Sequence, residues 1–446
     1  MAGRKLFCYC EFDGKQSKED FVLTRKLASV TGETGEVDAA VAFESAKQKT
    51  FHYSACLKNS CLVEADEEPP LAVSQDALNA VLVLSHALNA RVLDEVYFMR
   101  KLITDGSNTT GFQRTALIAV NGFIETSKGK VGIQSIALEE DSAGIIEKTE
   151  KESSFRLDRL GVPLIEIATA PEIRDGEHAK ETAELIGKLL RDSGLVQRGL
   201  GTIRQDLNVS TGGERVELKG VQDLDLLPKI IDEEVSRQKK EGVKKGGETR
   251  MIEEVKSKYM RPLPGSARMY PETDVLPLVM NSELLEKNKT KIVSSQEKIS
   301  LLLAQGVSKQ LAEKLASSKE YALFEYLIDS KADAQTIAAT ILETLVSLRR
   351  EKIEVEKISS QQLFDLFSLY ATKKIVKTAL IEVLKDLPSG KTPEEVIKEK
   401  NLRKFLPGEV RKLITLYPDK KKAFGEIMRT HRLNVDPVEV QELLRE

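Results

Sequence analysis

The chain is 446 residues long, with 41% hydrophobic and 31% charged residues and a formal net charge of −3. That length exceeds one compact core, so roughly two to four domains of an ordinary globular protein are expected. No apolar run nears the ~18 residues that cross a bilayer. The start, "MAGRKLFCYC", has no apolar secretory segment, so a cytoplasmic protein without a membrane partner is expected.

From the N-terminus to about residue 280 the texture is mixed α/β. Strand candidates are short and flanked by glycine or charge: "GFIET", "VGIQSIALEE", "PLIEIATA", "TIRQDLNVST" and "RVELKGV". Two of them alternate, with Thr202, Arg204, Asp206 and Asn208 opposite Ile203, Leu207 and Val209, and with Glu217 and Lys219 set among apolar neighbours. "SQDALNAVLVLSHALNARV" and "DGEHAKETAELIGKLLRDSG" carry helical apolar spacing, the second closed by Gly194. "QKKEGVKKGGET", Gln238–Thr249, reads as an exposed loop, and "YMRPLPGSARMYPETDVLP" as an irregular extended segment. Beyond about Ser282 only helical periodicity remains. "SSQQ" at Ser359–Gln362 and "TPEE" at Thr392–Glu395 are capping boxes, the second with Pro393 at the first helical position. The expected fold is α+β: a mixed or antiparallel sheet domain over 1–285, a helical domain over 286–358 and a basic helical tail over 359–446.

Charge is unevenly placed. Between Ala371 and Arg432 there are 16 Lys and Arg against 8 Asp and Glu, a local +8 that leaves −11 for the remainder. A basic module on an acidic body suits a polyanion such as nucleic acid, although a solvated lysine-rich face has the same composition. The candidate contacts are Lys373, Lys374, Lys404, Arg411, Lys412, Lys420, Lys421 and Lys422.

Neither a G-x-x-x-x-G-K-[ST] nor a G-x-G-x-x-G motif is present, so any nucleotide phosphate is held by metal and basic side chains. Acids are better placed. Glu139, Glu140 and Asp141 end one strand, and Glu166 interrupts the apolar run of another, where an unpaired carboxylate is costly. Acids projecting from one sheet face make an oxygen-rich site for a hard cation such as Mg²⁺. Ion pairs with Arg156, Arg159, Arg204 and Lys219 would account for the same pattern. Cys8, Cys10, Cys56 and Cys61 could supply four thiolates to zinc, but the spacings are loose and free cysteines are the commoner case. Gln113 and Arg114 close a polar loop suited to a phosphate.

Several strings coincide: "KLFCYC", "CLVEADEEPP", "DGSNTTGFQRTALIAVNGFIE", "ALEEDSAG", "RLDRLGVPLIEIATAPEI", "RGLGTIRQDLNVS", "RVELKGVQDL" and "YMRPLPGSARMYPETD". Together they closely resemble the B/E subunit family of the glutamyl-tRNA(Gln) amidotransferases, in its archaeal E form, from Lys5 to about Met280 and more weakly beyond. The resemblance implies a glutamine-synthetase-like cradle followed by helical, tRNA-binding domains. It implies ATP-dependent phosphorylation of the glutamate on misacylated Glu-tRNA(Gln), then amidation by ammonia from a partner. That partner is an asparaginase-like subunit, or an amidase with a small subunit if this protein works as a B type, which would extend to Asp-tRNA(Asn). Glu139 and Glu166 match magnesium ligands, with Glu140 adjacent. Catalytic roles fall to Glu139, Glu166, Arg114 and Arg204, and nucleotide or substrate contacts to Gln113, Arg114, Arg204, Asp206, Glu217 and Lys219.

The pattern departs in two places. The family begins with a G-L-E-x-H strand ahead of "KLFC", whereas only "MAGR" precedes Lys5 here; an incomplete metal site, and a protein that binds tRNA without chemistry, is the alternative expectation. The E form also carries a large inserted domain, for which 238–258 is too short.

Overall fold

Long alternating runs build the middle of the first of two compact units, Met1–Ile292 and Val293–Glu446. The computed structural model describes residues 3–12, 18–32, 35–197, 199, 201–289, 292–318, 320–417 and 419–445, without the side chains of 266, 420 and 421. Phe112–Thr126 and Gly129–Glu140 pair antiparallel through a two-residue turn. Thr115 lies opposite Glu139 and Leu117 opposite Ala137, but Ala119 faces Ile136, so Ile118 is the extra residue of a bulge. Pro163–Thr169 adds antiparallel on one side; Phe98–Leu102 and then Met269–Pro271 add on the other.

One face of this central sheet is apolar over its middle rungs. Phe98, Ala116, Ile136 and Leu138 pack with Phe7 and with Leu78, Val81 and Leu82 of the helix Gln75–Ala87. The Ser74 hydroxyl caps that helix by accepting from the Ala77 amide. The helix Gly176–Ser193 starts on an Asp175 cap and stops at Gly194, whose φ of 70° is left-handed, as its sequence predicts.

Two further sheets flank the centre in the chain. Thr50–Ala55 pairs with Phe21–Arg25 and, in parallel, with Glu152–Arg156, to which Gly144–Lys148 adds. Gln205–Val209, Val216–Val221, Glu248–Glu253 and Lys256–Pro262 form the other, and the helix Leu227–Glu241 carries the parallel crossover from its second strand to its third. Half of the stretch Gln238–Thr249 is therefore in regular structure: the helix runs to Glu241 and the strand starts at Glu248, with the expected loop confined to 242–247. The segment expected to be irregular is also partly structured. Tyr259–Pro262 ends an edge strand, the place where a sheet tolerates proline, and Met269–Pro271 edges the central sheet.

The second unit is helical among its described residues. Both capping boxes form, Ser359 with Gln362 and Thr392 with Glu395. The expected division at 358/359 lies inside one core reaching from Leu302 to Leu402, while Val410 to Leu444 make a smaller one. The first division falls at 292/293 rather than at 285/286. The fold is α+β, and no helix is long and apolar enough to cross a membrane among the described residues.

Candidate active site

Residues two apart on a strand share a face, and residues paired across strands do too. Register therefore puts Lys101, Gln113, Thr115, Glu139 and Glu166 on one face of the central sheet. Their side chains meet. The Lys101 ammonium donates to Glu139 Oε1 at 2.5 Å and stands 4.0 Å from Glu166 Oε2. The Thr115 hydroxyl donates to Glu139 Oε1 at 2.6 Å, and Gln113 Nε2 to Glu139 Oε2 at 3.3 Å and the Glu140 carbonyl at 2.5 Å. Glu139 is buried, whereas the Glu166 side chain, expected to be enclosed by its apolar neighbours, is 58% exposed. Crowding by protein atoms nevertheless raises the Glu166 pKa above the usual 4.5, and the neighbouring Glu139 charge raises it further against the pull of Lys101.

The opposite face holds a closed network. Arg114 Nε donates to Glu272 Oε2 at 2.7 Å, and its guanidinium lies 3.4 Å from Glu140 Oε1. Arg100 donates to Glu272 at 2.6 Å and to Asp274 at 3.0 Å. Glu140 and Arg114 thus stand apart from Glu139 and Glu166, because consecutive strand residues point to opposite faces. Burial raises the Glu140 pKa against the charge of Arg114.

The remaining expected contacts occupy the second sheet and its approach. Arg204 donates to Asp141 Oδ1 at 2.9 Å. Lys219 bridges Asp206 at 2.6 Å and Glu217 at 3.2 Å, and Thr249 donates to Glu217 at 2.9 Å. The Lys219 charge and these hydrogen bonds outweigh burial and hold the Glu217 pKa below its usual value.

A GatB/GatE catalytic domain matches residues 1–286, and a GatB domain matches 322–446. The chain belongs to the GatB/GatE family. It is 34% identical to the E subunit of the Pyrococcus furiosus glutamyl-tRNA(Gln) amidotransferase, over 89% of this chain and 86% of that one. It is 33% identical to the corresponding E subunit of Methanocaldococcus jannaschii, over 92% and 88%. For the E subunit of Saccharolobus islandicus the identity is 32%, over 87% and 85%. The first alignment runs over 539 positions, more than the 446 residues here, so the relative carries segments absent from this protein.

In this GatB/GatE protein the donor set at Glu139 and Glu166 fits a hard divalent cation: two carboxylates in mutual contact, one of them with a raised pKa, beside a hydroxyl and an amide. A softer donor set lies elsewhere. Cys8, Cys10, Cys61 and Glu64 have ligand atoms all within 4.8 Å of one another. Of the four cysteines that could have served zinc, three come together, and Glu64 rather than Cys56 is the fourth donor. The turn after Cys61 brings it in, since the Cys61 amide donates to Glu64 Oε2 at 2.7 Å and the Cys8 thiol to Oε1 at 2.8 Å. Interaction with the Cys8 side chain lowers the Cys10 pKa to about 7, while burial and the Glu64 charge push Cys61 up to about 11. Three sulfurs and an oxygen suit a closed tetrahedral zinc site.

In the tail, Lys373, Lys374, Arg411, Lys412 and Lys422 are exposed, whereas Lys404 is half-buried and pairs with Glu439 at 2.6 Å. The side chains of Lys420 and Lys421 lie outside the described residues. Sequence reasoning missed Lys101, Thr115, Glu272 and Glu64. Lys101 and Thr115 were within reach once Glu139 was set opposite Thr115.

Proposed function

We propose that the Lys101–Glu139–Glu166 cluster is where glutamate carried on tRNA(Gln) is activated by ATP and then amidated. The observation that carries this reading is the contact of two carboxylates under one ammonium on the accessible sheet face of a GatB/GatE catalytic domain. A carboxylate is a poor acyl donor until it bears a leaving group. Its oxygen attacks the γ-phosphorus of ATP, and ADP departs with the bonding pair. Ammonia then adds to the acyl carbon, phosphate leaves, and the surplus proton passes to solvent. Both steps depend on alignment and charge neutralisation more than on a protein nucleophile. Glu139 and Glu166 would hold magnesium, which when bound neutralises phosphoryl oxygens. Thr115 and Gln113 fix the Glu139 carboxylate, and Lys101 supplies positive charge beside the transferring group. Arg204, Asp206, Glu217 and Lys219 line the approach from the second sheet and contact the substrate. Exposed Lys373, Lys374, Arg411, Lys412 and Lys422 bind the tRNA backbone. The partner delivers ammonia and is an asparaginase-like subunit, and the complex works in the cytoplasm.

The test is ADP release with Mg²⁺–ATP and ammonium chloride, run with Glu-tRNA(Gln), uncharged tRNA(Gln), Glu-tRNA(Glu) and Asp-tRNA(Asn) in parallel. Release confined to Glu-tRNA(Gln) is expected. Release with uncharged tRNA would sink the reading. Release with Asp-tRNA(Asn) as well would place the activity with the B type, and bound tRNA without release would leave a binding subunit.

A further inference from the structure

Beside the Glu139–Glu166 cluster lies a cavity of about 180 Å³, walled by Thr104, Ser107, Ser142, Arg261, Pro264 and Arg268, among others. Arg261 comes from the edge strand Lys256–Pro262, opposite Thr249; Arg268 directly precedes Met269, which pairs with Lys101. The Nε atoms of both arginines are buried without a hydrogen-bond partner. Neither guanidinium has an ion pair within 4.0 Å among the described residues. Burial lowers the Arg268 pKa, and the like charge of Arg261 lowers it further, against the charges of Asp38, Glu217 and Glu139.

The carboxylates nearby are engaged elsewhere. Asp38 accepts from the amides of Ala40, Val41 and Gly265. Asp105 accepts from the Ser107 amide, Glu44 pairs with Lys47, and Glu217 is taken by Lys219 and Thr249. Glu139 is committed to Lys101. Two guanidinium groups with buried, unpartnered Nε atoms and no carboxylate in contact are expensive in a folded protein. The arrangement is stable when an anion enters, and planar N–H forks match a tetrahedral oxyanion best.

We propose that Arg261 and Arg268 form a phosphate-binding pocket next to the carboxylate cluster, rather than a structural pair. The cavity volume suits one or two phosphoryl groups. Its ligand is a phosphate of the nucleotide, or one from the tRNA backbone, which shares the same chemistry. The inference rests on the activation chemistry proposed above only for which phosphate enters; the pocket itself is testable without turnover.

Inorganic phosphate is titrated into the full-length protein, with heat of binding as the readout. Arg261→Gln and Arg268→Gln should each weaken phosphate at least tenfold, and Arg268→Lys less. Unchanged affinity in both glutamine variants, or no binding to the parent protein, overturns the proposal. Should a variant fail to fold by circular dichroism, phenylglyoxal labelling of the parent decides: phosphate must protect Arg261 and Arg268, read by mass spectrometry, and equal labelling with and without phosphate refutes the pocket. Displacement of bound phosphate by ATP assigns it to the nucleotide; displacement by deacylated tRNA alone assigns it to the backbone. Phosphate binding without ADP release would break the activation reading and spare the pocket. Release confined to Glu-tRNA(Gln) in a protein that binds no phosphate would do the opposite.

Discussion

Glu139 and Glu140 are neighbours in sequence with different fates. Glu139 faces Lys101, Thr115 and Glu166 where substrate can reach; Glu140 faces Arg114 in a network closed by Glu272 and Arg100. Both carboxylates are buried and both are paired. What differs is whether the set is complete. Glu272 has its acceptors filled by Arg100, Arg114 and the Asp274 amide. Glu166 has a lysine 4.0 Å away and the Glu139 carboxylate beside it, and stands largely exposed. A saturated set of charges holds structure, and an unsaturated one is free to bind.

The largest expected effect breaks the open set. Glu166→Gln keeps the shape and removes the charge, and ADP release should fall about 100- to 1000-fold, with the thermal midpoint nearly unmoved because the side chain is exposed. An equal loss of stability would show that Glu166 is a structural residue. On the closed face the reverse is expected. Glu272→Ala takes the shared carboxylate from both cations, leaving Arg100 with the half-exposed Asp274 and Arg114 with Glu140, and should cost about 3–5 kcal/mol by urea denaturation. A cost below about 1 kcal/mol, the scale of a surface pair, would erase the contrast between the faces.

Proton linkage sharpens the comparison further. The Glu166 pKa is raised, so the fold favours its protonated form; that contribution to stability is full at low pH and is lost as pH rises through the raised value. Magnesium must displace the proton, so affinity should climb by up to tenfold per pH unit below the shifted value and level off above it. Calorimetric titration at several pH values checks this, and the slope should vanish in Glu166→Gln. The smallest effect concerns the sulfur cluster. Without metal, iodoacetamide should modify Cys10 before Cys8 and Cys61, with a midpoint near pH 7. After zinc is added all three should be protected, and a chelator should restore the reaction, as read by peptide mass spectrometry.

Local signals in the sequence carried far. Caps and periodicity located the helix Gly176–Ser193 and both capping boxes, because those features are settled within one or two turns. Glu139 and Glu166 were legible as acids placed against the apolar pattern of their strands. Glu140 was legible as an acid but not as to its face, since that depends on which strand residue pairs with which. Glu272 lies 172 residues from Arg100, and nothing near either residue announces the other. Glu64 was hidden because spacing between cysteines draws attention to Cys56, while the turn after Cys61 delivers a carboxylate instead. One core spans the expected boundary at 358/359, since a capping box marks where a helix starts, not where a core ends.

The bulge at Ile118 has a consequence for how this scaffold can change over time. Ahead of it, the rungs from Gln113 to Leu117 hold the chemical residues in fixed phase with Glu139; beyond it, Ala119 to Thr126 keep a separate phase toward the turn. The extra residue acts as a phase joint. Single insertions or deletions on the turn side can be absorbed by lengthening or shortening the hairpin. One between Gln113 and Leu117 would exchange the two faces, bringing Glu140 to the side of Lys101 and Glu139 to the side of Arg100 and Arg114. Descendants of this protein are therefore free to vary the length of the hairpin tip, and must count residues at its base in pairs.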